Sequence, residues 1–291
     1  MNKNFLFIVL VLLALSILGV EGCTTTFGGG TTAGKSGIEF SPASGIGYLS
    51  AGKEILQNDI FNVGVNIENF DQQEHSGQVC IRDDVASDYG GIPKDECQNF
   101  YLKTAELISK DQLQSAKNGI IFPSGQEYTY HDIPLASQPA NLFIDLKYVL
   151  SSKVAGTITV PTPEAETVIL DQTSAPVSVS VEKTIRKKAE GYQLDVGITL
   201  QKTMSDAIIY SPDFLKENTL LMKLNSPSLS FTCTPDLGNK GILEFGNTKF
   251  IRCSALISQE EQIGYPLVIN LDYGVKITRT YNFNIKSEVQ K

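Results

Sequence analysis

At 291 residues, with 42% apolar and 19% charged side chains, the chain has globular composition and the length of two ordinary domains. Its formal charge of −8 is spread along the sequence, which argues against a nucleic-acid partner, because phosphate binding needs clustered Lys and Arg. The densest basic stretch, Arg186-Lys187-Lys188, is flanked by Glu182 and Glu190 and reads as a solvated hairpin tip.

The chain opens with Met-Asn-Lys-Asn and then an apolar run from Phe5 to Val20, broken only by Ser16 and Gly19. The run is longer than a usual signal core and shorter than the roughly 20 residues that span a bilayer as a helix. It ends in Val20-Glu21-Gly22-Cys23, which resembles a lipobox. The resemblance implies a signal peptide over residues 1–22 and a lipid on Cys23; the alternative is an uncleaved anchor. Either one tethers the protein to a membrane outside the cytoplasm. Residues 23–36 are small, Gly- and Thr-rich and almost uncharged, and read as a flexible stalk.

Five cysteines leave one thiol over in an exported chain. With Cys23 assigned to lipid, Cys80 and Cys97 fall in one half and Cys233 and Cys253 in the other. Disulfides Cys80–Cys97 and Cys233–Cys253 are the expectation outside the cytoplasm, and four free buried thiols the alternative.

Beyond the stalk, the pattern is alternation. Phe61-Asn62-Val63-Gly64-Val65-Asn66-Ile67-Glu68 matches Leu194-Asp195-Val196-Gly197-Ile198-Thr199-Leu200-Gln201 in residue character, with Gly at the same outward-facing point. Later, Phe143-Ile144-Asp145-Leu146-Lys147-Tyr148 matches Val268-Ile269-Asn270-Leu271-Asp272-Tyr273. Each later block is expected to turn and run into a last strand, at Gly156–Val160 and Thr280–Ile285 respectively. Two matched blocks in the same order predict a duplicated domain, and short alternating runs between turns predict an all-β sandwich or barrel. The expected division is 37–160 and 176–287, with 161–175 as a Pro-containing linker.

The block through Asn69, followed by a turn and Gln78-Val79-Cys80-Ile81, resembles the immunoglobulin-like modules of archaeal and bacterial cell-surface proteins, the CARDB type among them. Phe122-Pro123-Ser124-Gly125-Gln126-Glu127-Tyr128 is similar to the Pro-Gly turn before a later strand in such modules. The resemblance implies two tandem immunoglobulin-like β-sandwich domains in an extracellular setting, and no particular ligand.

Chemistry is sparse. His75 and His131 are the only imidazoles, and both read as exposed turn residues rather than bases. The acidic loop with Asp83, Asp84 and Asp88 offers hard oxygens of the kind calcium takes, against the plainer reading of a solvated loop. The expected function is that of a non-enzymatic surface lipoprotein with a structural, adhesive or assembly role, requiring no cofactor. Its partners would be the membrane and other surface proteins or glycans. The alternative is a solute- or carbohydrate-binding module; with no Trp, its aromatic platform would fall to Tyr89, Tyr101, Tyr128 and Tyr130.

Overall fold

The computed structural model describes residues 37–288 apart from 46, 110–111, 126, 135, 161–165, 173–174, 190, 238–240 and 258–262. The expected signal segment, Cys23 and the stalk lie outside the described residues, as does part of the expected linker. Among the described residues the chain is β almost throughout, with a single helical turn α1 (Ala86–Tyr89). No helix among them is long and apolar enough to cross a membrane.

The first half supplies β1 (Ile38–Pro42), β2 (Glu54–Leu56), β3 (Val63–Asn69), β4 (His75–Asp83), β5 (Glu96–Leu102), β6 (Glu106–Ser109), β7 (Gln112–Gln114), β8 (Ala116–Phe122) and β9 (Ser137–Val160). The second supplies β10 (Glu166–Thr167), β11 (Leu170–Gln172), β12 (Val177–Lys188), β13 (Gly191–Lys202), β14 (Ala207–Tyr210), β15 (Thr219–Asn225), β16 (Thr232–Thr234), β17 (Ile242–Glu244), β18 (Thr248–Ile257) and β19 (Ile263–Lys286). The first matched block sits in the middle strand of the sheet β1-β3-β8, and its counterpart in β13, between β12 and β18 of the sheet β10-β12-β13-β18-β16. A third sheet runs β17-β15-β19-β9-β4-β5, so it draws strands from both halves; β6 and β7 form a separate hairpin.

The alternation expected in the matched blocks places the core. Val63, Val65 and Ile67, like Val196, Ile198 and Leu200, are fully buried. In the later blocks the inward set is Ile144 and Leu146 in one and Ile269 and Leu271 in the other, all at 0% exposure. These residues join a single core cluster that runs through both halves. At the matched glycines a neighbour fills the place of a side chain: the Ala43 Cβ, 2.6 Å from where a Cβ would stand, and the Tyr48 ring, at 3.1 Å, close on Gly64, and the Phe250 ring, at 3.1 Å, on Gly197. That close approach, rather than a bulge, accounts for the glycines.

The turns expected after Tyr148 and Tyr273 are not there. Strands β9 and β19 each run unbroken for 24 residues and pair antiparallel along their whole length, from Ser137↔Lys286 to Val160↔Ile263. Ser151-Ser152-Lys153 looks turn-like, but Ser151 and Lys153 face outward while Leu150, Ser152 and Val154 keep the inward alternation. At the middle of the ladder Val149 stands opposite Gly274, the two residues that the block alignment makes equivalent. A local two-fold axis therefore relates the two strands.

This ladder carries contacts across the expected domain boundary. The far end of β19 pairs in parallel with β2, and the Arg279 guanidinium donates to the Phe40 carbonyl and lies over its ring. Residues expected as linker are partly paired: β10 to β12 and β11 to β9. The buried Lys183 ammonium clamps this region by donating to the Thr159 carbonyl at 2.5 Å and to Glu166 at 2.7 Å.

The cysteines are bonded as Cys80–Cys97 and Cys233–Cys253, each between residues directly opposite on neighbouring strands. The two bridges are not equivalent by duplication. One joins β4 to β5 in the shared sheet; the other joins β16 to β18 in the β12-β13-β18 sheet. The Cys80–Cys97 bridge closes a sequence separation of 17, for which the chain-entropy estimate is about 3 kcal/mol. Cys80→Ser with Cys97→Ser should lower denaturant stability by about that amount without changing the circular dichroism of the folded state.

Candidate functional site

The acidic loop is a structural device built around Asp83. Its Oδ2 accepts from the Tyr130 hydroxyl at 2.7 Å and the Ile92 amide at 2.9 Å, and its Oδ1 from the Val85 amide at 2.9 Å. Burial pushes the Asp83 carboxyl above its ordinary range, against the hydrogen bonds from Ile92, Tyr130 and Val85 that pull it down. Asp84 turns the other way and accepts from the Asn141 amide and side chain at 2.8 and 2.6 Å. Asp88 accepts from its neighbour Ser87, at 3.1 Å. The three carboxylates considered for calcium thus serve three different local structures. Among the described residues no group of three or more acidic, Cys or His side chains is placed to hold a metal ion.

Tyr128 and Tyr130 cannot form an exposed platform: they are 5% and 0% exposed, with Tyr130 stacked on Phe61 and Tyr128 donating to Glu96. Of the four tyrosines considered, Tyr101 is the one with half its surface in solvent. His75 is not an exposed turn residue either. The turn ends before it, and as the first residue of β4 it is 3% exposed, 3.2 Å from Asp71 and edge-on to Tyr148. His131 is exposed, as expected. Arg186 of the basic stretch is held by Asp195 on the neighbouring strand, with Arg252 3.7 Å from the same carboxylate.

The polar arrangement that stands out lies on the outward face of the shared sheet, near the centre of the ladder. By alternation Asp145 points to this face, yet it is 2% exposed. Its carboxylate accepts from Arg82 of β4 at 2.6 Å and from the Thr278 hydroxyl of β19 at 2.6 Å, with the Lys276 ammonium at 3.3 Å. Burial raises the Asp145 carboxyl; Thr278, Lys276 and Arg82 outweigh it and hold the group below its ordinary range. Next to it, Lys147 stands directly opposite both Lys276 and Gln78. A recess of about 550 Å³ opens beside Lys147, lined also by Ser76, Gln78, Asn99, Val149 and Phe214. Phe214 reaches it from the loop after β14, where Ser211 accepts from the Lys216 amide and the ring lies against Gly274.

Sequence reasoning missed this cluster because its members come from three strands and two halves. The available signal was Asp145 and Lys147, two charges inside an otherwise apolar block.

Asp145 and Asp83 affect acid stability in opposite directions. With its native value depressed, Asp145 contributes stability that is complete above the unfolded carboxyl value of about 3.9 and is lost as pH falls through the lower native value. With its native value raised, Asp83 costs stability when ionised, and that cost is relieved as pH falls through the native value. Asp145→Asn should lower stability at pH 7 by about 2–3 kcal/mol and flatten the acid limb of a stability–pH curve measured by denaturant unfolding. An acid limb as steep as that of the unsubstituted protein would show that Asp145 is not its source.

No protein-family model matches the chain, and neither does any curated protein.

Proposed function

We propose that the chain is an exported, membrane-tethered surface lipoprotein whose body is two immunoglobulin-like β-sandwiches fused along a common sheet. Its role is non-enzymatic: a docking or adhesion module held off the membrane by a short stalk. The observation that carries this reading is the cysteine inventory. Of five cysteines, four are consumed by two disulfides, and the fifth, Cys23, follows the apolar N-terminal run after Glu21-Gly22. Disulfides persist in oxidising compartments, and a chain delivered there by an apolar leader has one thiol left for lipid.

The paired sheets support the structural part. The matched blocks occupy the middle strands of two corresponding sheets, and each half contributes its own strands to the shared one. Polar groups of the kind a reactive centre uses are engaged in holding the fold, His75 against Asp71 and Asp83 against Tyr130. An outward sheet face carrying charge, amides and rings suits recognition of another surface component.

The test is mass spectrometry and fractionation of the full chain made in an exporting host. Cys23 should be the first residue and carry a lipid, and Cys23→Ala should move the protein out of the lipidated membrane fraction. A chain still beginning at Met1 would replace the lipid with an uncleaved anchor. A chain found in the cytosol with free thiols would overturn the reading altogether.

A further inference from the structure

We propose that the outward face of the central ladder, around Lys147 and Lys276, binds an acidic saccharide. This deepens the docking reading above and rests on it. The first observation is a charge conflict. Lys147 and Lys276 are directly opposite on β9 and β19 and point to the same face, an arrangement that destabilises a sheet. Lys276 is compensated by Asp145 at 3.3 Å, but Arg82 shares that carboxylate. Lys147 makes no ion pair among the described residues. Two cations thus share one carboxylate while a third, Lys147, stands opposite one of them, in a chain whose formal net charge is −8. Glu217, on the loop that carries Phe214, is engaged as acceptor of the Tyr210 hydroxyl.

The second observation is what surrounds the cations. The recess beside Lys147 presents the Ser76 hydroxyl and the Gln78 and Asn99 amides, walled by Val149 and the Phe214 ring. Tyr101, 51% exposed, stands directly opposite Ser76, and Val149 is 43% exposed. A pyranose ring has an apolar face that lies on aromatic or aliphatic surface and a rim of hydroxyls that amides and hydroxyls bind. A uronate carboxylate or a sulfate ester adds the negative charge that would sit between Lys147 and Lys276 and relieve their repulsion. An acidic peptide would use the cations but leave the ring and the amide rim unused. The site also needs both halves: Lys147, Gln78 and Tyr101 come from one, Lys276 and Phe214 from the other.

The full chain should be titrated by calorimetry at low salt with an oligogalacturonate, a sulfated oligosaccharide, a neutral oligosaccharide of the same length and a polyglutamate peptide. Binding of the oligogalacturonate, the sulfated oligosaccharide or both, in preference to the other two, is the expected result, and the stronger of the two identifies the acid group. Lys147→Glu should weaken that binding by about tenfold or more while raising the melting temperature, because a carboxylate at position 147 would then face Lys276. Lys147→Gln should weaken binding less and leave the fold intact. Absence of binding to both acidic saccharides, equal affinity for the neutral sugar or for polyglutamate, or undiminished binding by Lys147→Glu would overturn the proposal. A fall in the melting temperature of Lys147→Glu would overturn its geometric basis. None of these outcomes bears on whether Cys23 is lipidated, so the two readings fail separately.

Discussion

The backbone ladder between β9 and β19 is the constraint on which the rest depends. Each strand presents 24 residues to the other, a length of roughly 80 Å at the usual rise per residue. A ladder that long has no freedom of register, since a shift by one residue would turn Ile144, Leu146, Ile269 and Leu271 outward together. It also settles where the neighbouring strands attach. β4 and β5 extend the sheet at one end through β9, and β15 and β17 extend it at the other through β19. The two halves are thereby joined by hydrogen bonds and one apolar core, a stronger connection than a Pro-containing linker supplies.

The same ladder explains why a charge belongs in the middle of an apolar block. Asp145 would be costly on an isolated outward face that is covered on folding. Here the strand from the other half brings Thr278 and Lys276 to it, and β4 brings Arg82. The carboxylate is therefore satisfied only in the paired arrangement, which gives the ladder specificity as well as length. The pairing leaves Lys147 facing a like charge, and no equivalent conflict exists across the two-fold axis. There the corresponding pair is Asp272 and Ser151, joined by a 2.6 Å hydrogen bond. The two matched strands differ on their outward side and agree on their inward one.

Much of the fold was legible from the sequence for a simple reason: alternation reports which face of a strand is buried. Val63, Val65, Ile67 and their counterparts could be placed inside because period-two burial leaves its mark residue by residue. The cysteines paired readily because each pair lies within one half. Strand continuity was hidden, since Ser151-Ser152-Lys153 has turn-like composition while retaining the alternation of a strand. Partnership was hidden too, because no residue in Tyr273–Thr280 announces that it lies beside the first half. His75 and Tyr130 were misread for a related reason: polar atoms become buried when tertiary partners such as Asp71 and Asp83 appear, and those partners are not neighbours in any sequence pattern.

Hydrogen exchange measured along β9 and β19 tests the ladder most directly. If the two strands form one continuous ladder, amides across 142–158 and 265–281 should share high protection and exchange together through global unfolding. Val65→Asp, which buries a charge in the first half, should then raise exchange in residues 265–274 of the second half as well. Protection that breaks near 149–156, with residues 265–274 unaffected by Val65→Asp, would contradict the account.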